Sequence, residues 1–236
     1  MNDRVARLNR LMHIKKLCID HPYPALNDLD RKLEKYIGRK DGFFIECGAN
    51  NGYFQSNTFY YEYQLGWKGI LVEAIPELAA VCAYQRLNAR VYNCGLVSTE
   101  YPDDRITLRF AGLKSLVSGC KGGGEAEDKW VSSGVHNEGL PGTYEVSVPA
   151  RTLTSILDVE RPEHIDLFSL DVEGYELEVL RGLDLERYRP EYILVEVHDP
   201  EGITAHLAPW YDLVEELTPG WDFLFKAKPR GVPPGA

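Results

Sequence analysis

No run of the 236 residues approaches the ~20 consecutive apolar residues that a membrane-spanning helix needs. The opening stretch, MNDRVARLNRLMHIKK, is too polar for the apolar segment of a secretory signal. The five cysteines, Cys18, Cys47, Cys82, Cys94 and Cys120, are odd in number and contain no C-x-x-C pair. A disulfide framework and a structural zinc site are therefore disfavoured, and a reducing, cytoplasmic setting is expected. Positive charge is also in deficit: 26 Lys and Arg against 36 Asp and Glu leave a formal charge of −10. That argues against nucleic-acid partners, which need a basic face, and against anionic membrane surfaces. No internal repeat and no second domain is evident. Apolar residues, in contrast, make up 44% of the chain, enough for a sizeable core.

Helical spacing of Val5, Leu8, Leu11, Met12 and Cys18 predicts a helix over 3–19. A second is expected to 37, capped by Asn27 or Asp28. This 1–40 extension offers a surface for self-association and precedes one domain over 41–228. Strands are expected at 43–46, 68–72, 89–97, 106–111, 144–149, 165–170 and 192–197, with helices over 56–65, 76–88, 152–159 and 174–181. Residues 211–217 and 221–225 flank Thr218-Pro219-Gly220 as a closing hairpin. Residues 112–142, glycine- and serine-rich and without period, are expected to form an irregular lid or substrate loop, and 229–236 a disordered tail. The alternation implies an α/β fold: a mostly parallel seven-stranded Rossmann-like sheet with helices on both faces, ended by an antiparallel hairpin.

The segment FFIECGANNGYFQSNTFYYEYQLGWKGILVEA carries the densest signal. Its first strand ends at Glu46, followed by the turn Gly48-Ala49-Asn50-Asn51-Gly52. Its second strand delivers Glu73 and Ala74. A small-residue turn lets a ligand approach the backbone, and a carboxylate after the second strand can accept two hydrogen bonds from ribose hydroxyls. A dinucleotide site wants G-x-G-x-x-G so that a diphosphate meets the helix N-terminus. Here the third glycine is missing and Glu46 would repel a diphosphate. A cofactor with an ammonium group and a sulfonium charge, S-adenosylmethionine, suits these residues better. Ser56 is a candidate helix cap or cofactor contact, and Lys114 and Ser115 are candidates for the same cavity. The aromatics Tyr60, Tyr61, Tyr63 and Trp67 read as core. Trp130 and His136, on the long loop, can stack on a sugar face.

A second signature is IDLFSLDVEGYELEVLRG, in which Asp171 ends a strand and Glu173 follows in the turn. The next strand ends VEVH, placing Glu196 and His198 at the same rim. Carboxylates converging there repel unless a cation or a proton is shared. The segments ECGANNGYFQS, GILVEAIPE, RTLTSIL, IDLFSLDVEGYELEVLRG and ILVEVH together resemble the FkbM family of S-adenosylmethionine-dependent methyltransferases. The family often has Asp where Glu46 stands, and 99–142 carries none of its motifs.

That resemblance implies a class I methyltransferase fold and O-methylation of a small molecule: a sugar or glycan residue, or a polyketide or other natural product. Transfer would be an in-line displacement, with the hydroxyl deprotonated by His198 and assisted by Asp171, Glu173 and Glu196. Asp171 and Glu196 are also placed to hold Mg2+ or Mn2+. The competing readings are an NAD(P)-dependent oxidoreductase and a scaffold without chemistry. Nucleic-acid methylation lacks both a basic surface and an N/D-P-P-Y/F motif.

Overall fold

The computed structural model describes residues 3–230. Two helices, α1 (Asp3–Asp20) and α2 (Leu29–Ile37), lead into β1 (Phe43–Cys47), α3 (Phe59–Leu65), β2 (Lys68–Val72), α4 (Pro76–Gln85) and β3 (Ala89–Tyr92). A second group follows: β4 (Gly95–Leu96), β5 (Arg105–Phe110), β6 (Leu116–Val117), α5 (Gly124–Asn137) and β7 (Tyr144–Arg151). The chain returns through α6 (Leu153–Glu160), β8 (Leu167–Leu170), α7 (Glu176–Arg181), β9 (Tyr192–Glu196), α8 (Pro200–Leu207), β10 (Tyr211–Thr218) and β11 (Asp222–Ala227).

Seven strands form the main sheet in the order β3-β2-β1-β8-β9-β11-β10. All its pairings are parallel except those of β11, which runs antiparallel to β9 and β10. The order reverses between β1 and β8. In open α/β sheets that switch point, at the carboxyl ends of the strands, opens the ligand crevice. Alternation along β1 sends Phe44 toward Leu33, Tyr61 and Trp67 of the first helical layer. Ile45 points the other way, toward Ile156, Leu180 and Ile203 of the second. Each such side chain contributes ~1.5–3 kcal/mol when fully buried. A one-residue slip would exchange the faces, so the register is strongly specified.

The differences from expectation have local causes. The 89–97 strand divides between two sheets, because the Asn93 amide donates to the carbonyls of Glu73 and Ala74 and turns the chain. Neither Asn27 nor Asp28 caps α2 through its side chain; both adopt left-handed backbone, at φ 54° and 55°. The first sheet helix starts at Phe59 rather than 56, since 56–58 are tied to Glu46. Residues 112–142 are not an irregular loop. They hold β6 and α5, and Gly134 of α5 packs so closely that a Cβ there would lie 2.4 Å from the Ala111 carbonyl oxygen. Three glycines ahead of α5 and a buried Glu127, which accepts from the Gly119 amide, obscure its helical period. Helix α8, unforeseen, opens on Asp199, whose carboxylate accepts from the Gly202 amide, with Pro200 at its first turn. The tail expected at 229–236 lies mostly outside the described residues. Among the described residues no helix is long and apolar enough to cross a membrane.

Candidate active site

Two cavities meet at the switch point. The first, about 290 Å³, is lined by Glu46, Gly48, Ala49, Asn50 and Ser56 from the β1 side, and by Glu73, Ala74 and Ile75 after β2. Leu108, Lys114, Ser115 and Leu116 close it from the second sheet. The other, about 320 Å³, lies between α2, the β8 and β9 ends and the β10–β11 turn. Asp171 and Glu196 line both. Each cavity is near the lower end of the ~300–1,000 Å³ typical of small-molecule sites.

The glycine turn is shaped first by the protein itself. Gly48, at φ 79°, sits where a Cβ would lie 1.7 Å from the Asp171 carbonyl oxygen, so the turn and the β8 end touch backbone to backbone. Asn50 takes the left-handed conformation at φ 49°. Asn51 accepts from the amides of Tyr53 and Phe54 as a turn former. Gly52 packs on Cys82 and Arg86. Neither Asn51 nor Gly52 reaches a cavity wall. Ser115 is held by its own loop, donating to the Gly112 carbonyl and accepting from the Ala111 amide.

Glu46 and Glu73 differ. Strand parity puts Glu46 on the Phe44 face, toward α3 and α4. Its carboxylate accepts from Ser56 Oγ at 2.9 Å, Thr58 Oγ1 at 2.6 Å, the Asn57 amide at 2.8 Å and Arg86 at 3.3 Å. Arg86 is fully buried and also binds Glu62 at 2.6 Å, so one guanidinium serves two buried carboxylates. Ser56 Oγ in turn accepts from the amides of Thr58 and Phe59 at the start of α3. Glu46 is thus already satisfied at the cavity wall. Glu73 accepts from backbone amides, at 2.7 Å from Asn50 and 2.8 Å from Ile75, and from no side chain among the described residues. Burial pushes its pKa up to about 7.

At the β8 and β9 ends the acids gather as the strand-end argument expected. Asp171 opens onto the cavities yet is enclosed by protein. That burial, the neighbouring Glu196 and a hydrogen bond between the two carboxyls hold Asp171 well above the usual carboxylate range. Beside the pair, donor atoms of Glu173, Glu196 and His198 lie within 4.8 Å of one another, as do those of His164, Asp166 and Glu191 elsewhere on the molecule. Glu173 holds left-handed backbone at φ 59°, an unfavourable state for a residue with a side chain. Burial and then Glu196 push its pKa to about 7.

His198, expected as the base, lines neither cavity. Its Nδ1 lies 3.4 Å from Glu176, which raises its pKa, and its Nε2 lies 3.8 Å from Glu173. The contact with Glu176 lacks hydrogen-bond alignment, and no other group bonds that nitrogen. Glu176 itself accepts from the amides of Val172 and Gly174, fixing the turn that carries Glu173. Trp130 meets His198 edge-on at 6.0 Å, and Lys114 and Lys121 stand 4.3 and 4.1 Å from its ring. His136 lies on α5 beside a separate shallow depression.

Sequence reasoning passed over Arg86, Glu176, Trp221 and Asp222. The unbalanced pair Glu46 and Glu62, each in an apolar segment, was the available clue to a buried cation. Nothing in the local pattern around Trp221 pointed to a cavity.

The sheet order, with one reversed strand before the edge, defines a class I methyltransferase fold. Residues 46–218 match the methyltransferase FkbM domain, and the chain belongs to that family. The methyltransferase sdnD of Sordaria araneosa is 37% identical over 80 residues, which are 30% of this chain and 31% of that protein. The match therefore spans under a third of that relative. A SAM-dependent methyltransferase from Aquifex aeolicus aligns over 92% of this chain and 96% of its own, at 12% identity and a TM-score of 0.43. The human methyltransferase 10 domain containing protein aligns over 97% and 98%, at 12% identity and 0.46.

Proposed function

We propose that this methyltransferase uses S-adenosylmethionine to methylate a hydroxyl of a small molecule, a sugar or glycan residue or a polyketide. The observation that carries the reading is the Asp171–Glu196 pair, a wall common to two cavities. One cavity has the glycine turn, Glu73 and an apolar lining suited to an adenosyl group. The other is free for an acceptor. The residues of the first fit the cofactor: the Glu73 carboxylate, bonded to backbone amides and to no side chain among the described residues, can accept from ribose hydroxyls.

When bound, the cofactor supplies an electrophilic methyl group on sulfur. The Asp171–Glu196 pair does the rest of the chemistry. Its ionised member would take the proton of the acceptor hydroxyl as that oxygen accepts the methyl group. His198 has its pKa raised by Glu176 beside it, which favours positive charge next to Glu173 and Glu176 and so limits repulsion in the acidic cluster. Its role is positioning rather than proton abstraction. Glu46 acts through the Arg86 network, holding 56–58 behind the cavity.

Calorimetric titration with S-adenosylmethionine, followed by transfer of labelled methyl to a panel of glycosides and polyketides, tests the reading. Glu73→Ala should lose binding, whereas Asp171→Asn should keep binding and lose turnover. Absence of binding by the unaltered protein would overturn it. Chelator-treated protein should retain turnover; a loss restored by Mg2+ would instead bring a cation to Glu173, Glu196 and His198.

A further inference from the structure

The second cavity has a chemistry of its own. Its acids are Asp171, Glu196 and Asp222, and among the described residues no Lys, Arg or His lines it. Lys32, which lies close enough to influence Asp222, turns away to donate to the Leu217 carbonyl at 2.7 Å. The register of β9 with β11 places Asp222 directly opposite Glu196. Like charges at opposed positions of an antiparallel pair destabilise the sheet. Asp222 is only 8% exposed, so water screens that repulsion poorly. The arrangement is relieved by a ligand that brings hydrogen-bond donors or positive charge.

Two further features complete the cavity. Asn57 donates to Ser169 Oγ at 3.0 Å, while its own carbonyl oxygen, buried, has no partner. A buried acceptor without a donor is uncommon and costs about 1–3 kcal/mol. Trp221, 53% exposed at the β10–β11 turn, offers an indole face at the mouth. Unpartnered acceptors along the wall with an aromatic at the rim suit a compound that is rich in hydroxyls on its edges and apolar on its face.

We infer that this cavity is the acceptor subsite, that it takes a neutral or amine-bearing polyol, and that it rejects acceptors carrying phosphate or carboxylate. The assignment rests on the methyltransferase reading above for its purpose, but its charge preference follows from the cavity wall alone. A phosphate would meet three carboxyls and no lining cation. An ammonium or hydroxyl would satisfy Glu196 and Asp222.

The test is saturation-transfer NMR with three matched probes at millimolar concentration: methyl glucoside, glucosamine and glucose 6-phosphate. S-adenosylhomocysteine binding is measured by calorimetry on the same samples. The two sugars without phosphate should receive saturation and the phosphate should bind at least tenfold more weakly, with or without S-adenosylhomocysteine. Trp221→Ala and Asp222→Asn should each weaken the sugar signal several-fold while leaving the calorimetric heat unchanged. Asp222 is buried and its variant is to be checked by melting; Trp221 is exposed, so its replacement keeps the test decisive. Equal or tighter binding of the phosphate, no binding of any probe, or signals unmoved by both substitutions would overturn the assignment. Loss of S-adenosylhomocysteine binding with the sugar preference intact would strike the methyltransferase reading alone.

Discussion

On the proposed reading, Glu73 should make cofactor binding pH-dependent in a direction that can be worked out. Its carboxyl is enclosed, and its backbone amide hydrogen bonds do not offset the lost hydration, so its pKa stands at about 7 against an ordinary 4.5. Ribose hydroxyls would donate to the ionised form. Binding therefore requires that form, and affinity falls as pH drops through 7. One unit below the pKa about a tenth of the molecules are ionised, which weakens binding roughly tenfold, or about 1.4 kcal/mol. The free protein should behave in the opposite sense. A group whose pKa is raised by folding contributes stability that is present below its unfolded value and lost as pH rises through the folded one. For Glu73 that window runs from 4.5 to about 7, and the loss is about 3 kcal/mol. Calorimetry from about pH 5.5 to 7.5, below the range where the cofactor's own amino group titrates, isolates the effect. Repeating it in buffers of different ionisation heat counts the protons released. Glu73→Gln keeps one acceptor and removes the charge. It should bind about 10- to 100-fold more weakly at neutral pH, as expected for loss of hydrogen bonds to a charged group, and with a flatter profile. Glu173, also near 7 and on the same cavity wall, would sustain a residual slope in that variant. Affinity independent of pH in the unaltered protein, or an undiminished slope in Glu73→Gln, would refute the reasoning.

Further outcomes follow from the same geometry. Arg86→Met should cost about 3–5 kcal/mol, because Glu46 and Glu62 are left buried and unpaired; thermal melting should then fall by roughly 10 °C, and a shift under 3 °C, about 1 kcal/mol for a domain of this size, would show that the network is dispensable. Gly48→Ala should abolish cofactor binding and lower melting, since a methyl group at 1.7 Å from the Asp171 oxygen forces β1 and β8 apart; a crystal structure with an unmoved turn would contradict this. His198→Ala should change turnover less than Asp171→Asn does while shifting the pH–rate profile toward higher pH, because removing a positive neighbour raises the carboxyl pKa values; equal losses in the two variants would make His198 the base after all. Glu173→Gly should relieve left-handed strain and raise stability by up to about 1 kcal/mol, readable in denaturant melts, while lowering turnover.

Much of the molecule was legible before any coordinate. Period-2 and period-3.6 patterns, with Pro76, Gly66 and Thr218-Pro219-Gly220 as punctuation, mark the elements of the main sheet to within a few residues. Parallel strands buried on both faces have to be nearly continuous in apolar residues, which makes β8 and β9 conspicuous. The strand-end carboxylates stand out for the same reason, because an acid at the end of a buried strand demands an explanation. The second group of strands was harder to read. Its pieces are short, its helix begins after three glycines, and part of its pairing runs between residues about forty apart, such as Arg105 with Pro149.

The amino-acid order alone determined the fold, because hydrophobic periodicity and turn chemistry are local properties, and it determined which acids would reach the strand ends, because side-chain direction follows from strand parity. Tertiary structure decided what those acids do. Glu46 is consumed by Arg86 and Glu73 is left partly free, although each is a glutamate at the end of a strand. Asp171 is enclosed and set against Glu196, which together raise its pKa, and His198 lies behind them beside Glu176. Trp221 and Asp222, whose own segment reads only as a hairpin, become the wall of a cavity. These distinctions depend on which distant groups come within a few ångströms, and local pattern carries no record of that.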